Sequence, residues 1–135
     1  MSGPEAARPE VEWSLLCDYC LIDIAGKLTL VGIFDRLLVP TLPVHAPLLV
    51  VVTRWRAPST DRFIAETRIW TPTEQLLVTT GPVEVAVPPA GPAMTVNQFR
   101  AVTFERAGQY LIELLAERET ARYYPCEVVV HSAPS

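Results

Sequence analysis

The chain has no basic surplus, little glycine and too few cysteines to frame a fold. Eleven Lys and Arg stand against fifteen Asp and Glu, a formal net charge of −4. Nucleic-acid binding asks for a clustered basic face. Arg54 and Arg56 come nearest to one, and their spacing is the ordinary outward period of a strand. No nucleic-acid partner is expected. No apolar run approaches the ~20 residues of a membrane span, and Met1–Glu10 has no basic segment followed by an apolar one, so neither a signal peptide nor a membrane partner is expected. Three cysteines, an odd number, disfavour a closed disulfide framework and suit reduced thiols in a cytoplasmic protein. Thirteen prolines against six glycines point to stiff loops and little helix. A nucleophile elbow, a Gly-rich phosphate loop and an H-E-x-x-H pair are also missing.

What is present is a chain of 135 residues, half of them apolar. That is one domain, long enough to bury a core without disulfides or metal. Residues 1–12 read as a flexible leader, 13–131 as the domain and 132–135 as a tail. The segment Leu15–Leu38 reads as a long β-hairpin with Ile24-Ala25-Gly26 at its tip. Asp23 and Gly26 stand three apart, which suits a type I turn closed by a G1 bulge, a three-residue loop. A two-residue loop at Ala25-Gly26 is the alternative, and it would exchange the faces of one strand. In either register no face of the ribbon is polar throughout. Leu15, Cys17, Tyr19 and Leu21 share one face, and Leu16, Asp18, Cys20 and Ile22 the other. In the second strand Leu28, Leu30, Gly32 and Phe34 alternate with Thr29, Val31, Ile33 and Asp35. A ribbon apolar on both sides needs a cover for each.

Further strands are expected at Leu48–Val52, Arg62–Trp70, Gln75–Thr79, Val83–Val87, Met94–Phe104 and Cys126–Val130, between proline- and glycine-bearing turns. Residues 107–118 fit a helix or a strand by pattern. The strand reading places Tyr110, Ile112, Leu114 and Ala116 on one face, and Ala107-Gly108-Gln109-Tyr110 resembles the tyrosine corner of Ig-like sandwiches. Glu119–Arg122 would then connect it to the last strand. The expected fold is all-β: a two-sheet antiparallel Ig-like β-sandwich of about eight strands.

The run Leu16-Cys17-Asp18-Tyr19, then Asp23, Gly26-Lys27-Leu28 and Gly32-Ile33-Phe34-Asp35, a proline-punctuated loop and a later Gly108-Gln109-Tyr110 together resemble a bacterial family of small domains of unknown function. The resemblance covers most of residues 13–131. It implies a compact β-sandwich and carries no reaction, ligand or catalytic residue.

Cys17 and Cys20 form a C-x-x-C, a spacing that on a knuckle or helix chelates zinc or makes a redox pair. On a continuous strand, residues three apart point to opposite faces, so no metal site is expected there, and Cys126, His45 and His131 complete a ligand set only on paper. Asp18 is a carboxylate amid apolar neighbours and must be paired, hydrogen-bonded or near an opening. Backbone around Gly32 or the side chain of Arg36 would satisfy it. Asp23 and Asp35 lie near strand ends, and no carboxylate pair is spaced for hydrolysis. The expected function is a non-catalytic protein-interaction module, self-associating or docking in a larger assembly through an apolar sheet face. Its candidate binding residues are Leu16, Asp18, Cys20, Val31, Ile33 and Asp35, its partner another copy or another protein, and no cofactor is implied. The competing expectation is that a loop such as Val39–Pro47 covers that face. A small-ligand or carbohydrate domain built on Trp55, Trp70, Tyr19, Tyr110, Tyr123 and Tyr124 is the alternative, and an uncharacterised enzyme the weakest.

Overall fold

Short runs of β-branched and aromatic residues between turn residues make strands and little else. The computed structural model describes residues 8–57, 60–89 and 91–131 and is all-β, with eleven strands and no helix among them. The strands are β1 (Glu10–Cys17), β2 (Tyr19–Ile22), β3 (Leu28–Val31), β4 (Arg36–Val39), β5 (Val44–Arg56), β6 (Arg62–Trp70), β7 (Leu76–Thr79), β8 (Val83–Ala86), β9 (Ala93–Phe104), β10 (Gly108–Ala116) and β11 (Glu119–Val130). One sheet has the order β1-β5-β9. A larger one has the order β4-β11-β10-β6-β7, with β8 also on β6, and β2-β3 form a separate ribbon.

The main core lies between the two sheets. Leu16, Val51 and Trp55 of the smaller sheet meet Phe63, Ile69, Ile112, Leu114 and Val128 of the larger, all buried. Trp55 and Phe63 pack edge to face with centroids 5.2 Å apart. Within residues 107–118 the strand reading holds, as β10 over Gly108–Ala116, and the tyrosine corner is present: the Tyr110 hydroxyl donates to the Arg106 carbonyl at 2.8 Å.

Three expectations need correction. There are eleven strands among the described residues rather than about eight, and two of the additional ones arise because the long hairpin strands are interrupted: β1 and β2 part at Asp18, and β3 and β4 part over residues 32–35. The larger sheet is mixed, because β4 pairs parallel with β11. And β1 begins at Glu10, so Glu10 and Val11, assigned above to the leader, pair with Arg56 and Trp55. The remainder of the leader call from 1 to 7, the tail 132–135, and Pro58, Ser59 and Ala90 of two expected turns lie outside the described residues.

The β10–β11 connection is also shorter than expected. Ala116 pairs with Glu119, so the loop is Glu117-Arg118 alone, with φ of 52° and 67°. This is a two-residue primed turn without the Asn or Gly that favours it. Glu117 is tied down, its N–H donating to the Ile64 carbonyl at 2.8 Å. Arg118→Gly is therefore expected to stabilise the domain by about 1 kcal/mol, the penalty of a left-handed non-glycine residue. A higher urea midpoint checks this; an unchanged or lower one contradicts it.

Candidate functional site

The hairpin closes in the three-residue form. Asp23 N–H donates to the Lys27 carbonyl at 2.9 Å and Gly26 N–H to the Asp23 carbonyl at 3.0 Å. The Asp23 carboxylate accepts from the N–H groups of Ala25 and Lys27 at 2.9 and 2.8 Å. Ile22 pairs with Leu28 and Tyr19 with Val31, and the same register carries on to a bridge between Leu16 and Phe34.

Midway, Asp18 interrupts the strand. Its N–H donates to the carbonyls of Val31 and Gly32 at 3.0 and 3.2 Å, and its carboxylate occupies the space that a side chain on Gly32 would fill. This bond to backbone around Gly32 is made by the Asp18 main chain, whereas the expectation was for its carboxylate. The side chain, however, is exposed, so no burial penalty has to be offset.

The interruption resets which way the side chains point. Leu16 enters the main core, whereas Cys17 lies on the outer face of the smaller sheet with Val50 and Val52, all three fully buried. Cys20, Leu28 and Leu30 of the ribbon pack against this second cluster. The ribbon thus covers the outer face of β5 with one of its own faces. The premise that Cys17 and Cys20 diverge is corrected: they join one cluster. Burial raises the Cys17 thiol pKa, and the nearby Cys20 and Asp18 raise it further, so it stays protonated at neutral pH. Among the described residues no group of three or more His, Cys, Asp or Glu is placed to hold a metal.

The six candidate binding residues do not form one surface. Leu16 is core, Cys20 and Val31 are half-buried, and Asp18, Ile33 and Asp35 are exposed. The large apolar side chains left open on and beside the ribbon share only Ile33 (56 %) with that set: the others are Tyr19, Leu21 (54 %), Ile22 (64 %) and Ile24, which is wholly exposed at the tip. Sequence reading passed over Leu21, Ile22 and Ile24 as hairpin body and turn. An isoleucine in a three-residue loop tip was the signal available, since that position has nothing to pack against.

The aromatic residues separate likewise. Trp55 and Tyr110 are core. Tyr124 sits between the sheets, where its hydroxyl, that of Ser14 and that of Thr53 form a chain with spacings of 2.9 and 3.0 Å. Burial pushes the Tyr124 phenol up to about 12, which keeps it neutral. Trp70 and Tyr123, by contrast, border one cavity of about 620 Å³ on the outer face of the larger sheet. A model of a family of unknown function, DUF6941, matches residues 12–129. No curated protein matches the chain.

Proposed function

The chain belongs to that family of unknown function, and on this premise we propose that it is a non-catalytic interaction module that pairs with a second copy of itself through the ribbon β2–β3. The observation that carries this reading is that Tyr19, Leu21 and Ile22 of the ribbon, Ile24 at its tip and Ile33 just beyond it are all exposed. Large apolar side chains exposed at this density favour a partner. A second copy is the occupant because, among the described residues, each ribbon strand has only the other as a neighbour in its sheet, and an unpaired edge is a template for another strand. Two ribbons meeting edge to edge about a two-fold axis would pair one free edge of each copy and set their exposed apolar side chains beside one another.

An immunoglobulin-like arrangement is part of the reading. Its support is the order β1-β5-β9 opposite β11-β10-β6 and the Tyr110 corner. A bacterial cytoplasm is the setting we infer, from the hairpin motif and from three free thiols.

Wild-type protein is expected to dimerise with concentration in sedimentation equilibrium. Leu21→Asp and Ile24→Asp are expected to weaken the dimer about a hundredfold, near 3 kcal/mol, with unchanged circular dichroism because both side chains are exposed. A monomer at every concentration, unaffected by either substitution, rejects self-association.

A further inference from the structure

The cavity beside Trp70 and Tyr123 is on the opposite side of the sandwich from the ribbon. Trp70 is on β6 and Tyr123 on β11, with β10 between them. Their strands are two interstrand spacings apart, roughly 10 Å, and Leu111 of β10 lies in the lining between.

Polar groups at this site are spent on one another. The Trp70 indole N–H donates to Glu113 at 2.9 Å, and the Thr120 hydroxyl donates to the other oxygen of the same carboxylate. Arg68 is bound to Glu66 at 2.7 Å and lies 3.9 Å from Glu113. The indole is therefore held by its polar edge. Gln109 and Glu74, which also line the cavity, stand outside this network. Among the described residues no Lys or Arg lines the cavity, so a phosphate, sulfate or carboxylate ligand would meet acid without a counter-charge.

Two aromatic rings a sugar-pair's length apart, an apolar floor, a free amide and a free carboxylate match one ligand chemistry. The ring of a neutral sugar offers a C–H face to aromatic surface and hydroxyls to amide and carboxylate groups. We propose that this cavity is a binding site for a neutral saccharide of at least two rings, stacked on Trp70 and Tyr123. Gln109 and Glu74 take its hydroxyls. Glu113 is a positioning residue that fixes the indole.

The test is titration of the ¹⁵N-labelled full chain with maltose, cellobiose, lactose and diacetylchitobiose at millimolar concentration, with glucose 6-phosphate and a polyproline peptide as comparators. At least one disaccharide is expected to give saturable shifts at Leu111 and Tyr123. Tyr123 is 65 % exposed, so Tyr123→Ala keeps the fold; it is expected to weaken binding about tenfold, and Tyr123→Phe to retain it. Three results overturn the proposal: no shift with any disaccharide, binding of the phosphorylated sugar or the peptide alone, or disaccharide binding indifferent to Tyr123→Ala.

Discussion

Gly108→Ala is expected to destabilise the domain by about 3 kcal/mol, as the sum of backbone strain and overpacking. Gly108 has φ of +135°, and a Cβ there would stand 2.9 Å from Cγ and 3.1 Å from Cβ of Pro72. A proline ring has no rotamer into which it can retreat, so backbone must move. That backbone opens β10, pairing with Val128, and two residues on it sets the Tyr110 corner and the edge-to-face contact of Tyr110 with Phe104 at 5.1 Å. Tyr110→Phe removes only the corner hydrogen bond and is expected to cost about 1 kcal/mol, a useful comparator in the same urea unfolding series. Adding Pro72→Ala to Gly108→Ala should recover the part of the steric share owed to Cγ, since the Cβ at 3.1 Å remains, and leave the strain. A single variant within about 0.5 kcal/mol of the parent, the range of an innocuous surface change, would contradict this account.

The same corner was legible in the sequence because its signal is local. Gly108-Gln109-Tyr110 needs only its own spacing, and so does the Asp23–Gly26 turn with its side-chain hydrogen bonds. Arg62–Trp70 also read directly, since its apolar residues alternate and its ends carry turn residues. Sequence was less informative where pairing is long-range. The parallel partnership of Arg36–Val39 with Glu127–Val130 follows from how the chain crosses between sheets, not from any pattern inside Arg36–Val39. Proline misled as well: Pro47 reads as a loop residue, yet it lies within β5, which the Leu48–Val52 expectation cut short at both ends.

The candidate surface was half legible for a related reason. That the ribbon is apolar on both faces follows from period-2 alternation, and one face does pack on a neighbour while the other stays open. Alternation cannot survive an interruption, however, and every assignment across Asp18 inherited the error. Leu16 and Cys20, grouped by counting twos, end in different clusters. Trp70 and Tyr123 were visible as aromatics but not as neighbours, because the β6-β10-β11 order that unites them is tertiary.

Gly32→Ala should therefore act on the ribbon more than on the sandwich. Gly32 has φ of +71°, and a Cβ would meet the Asp18 carboxylate oxygen at 2.2 Å and its Cγ at 2.7 Å. The left-handed backbone costs an alanine about 1–2 kcal/mol, and displacing Asp18 adds roughly 1 kcal/mol of overpacking. Together they total about 2–3 kcal/mol in urea unfolding. Asp18→Gly in the same chain should remove the steric part, giving a coupling of about 1 kcal/mol between the two sites. Because Asp18 and Gly32 lie where the ribbon leaves β1, their strain falls on the contact that buries Cys17 beneath Cys20, Leu28 and Leu30. Cys17 should then react with a thiol reagent roughly 30- to 150-fold faster in Gly32→Ala, as the same ~2–3 kcal/mol eases its local opening, and in parent and variant alike it should react ahead of Cys126, which is buried between the sheets and exposed by global unfolding. Equal rates at the two thiols would mean that the ribbon and the sandwich unfold as one unit, and that the bend at Asp18 is not a separable hinge.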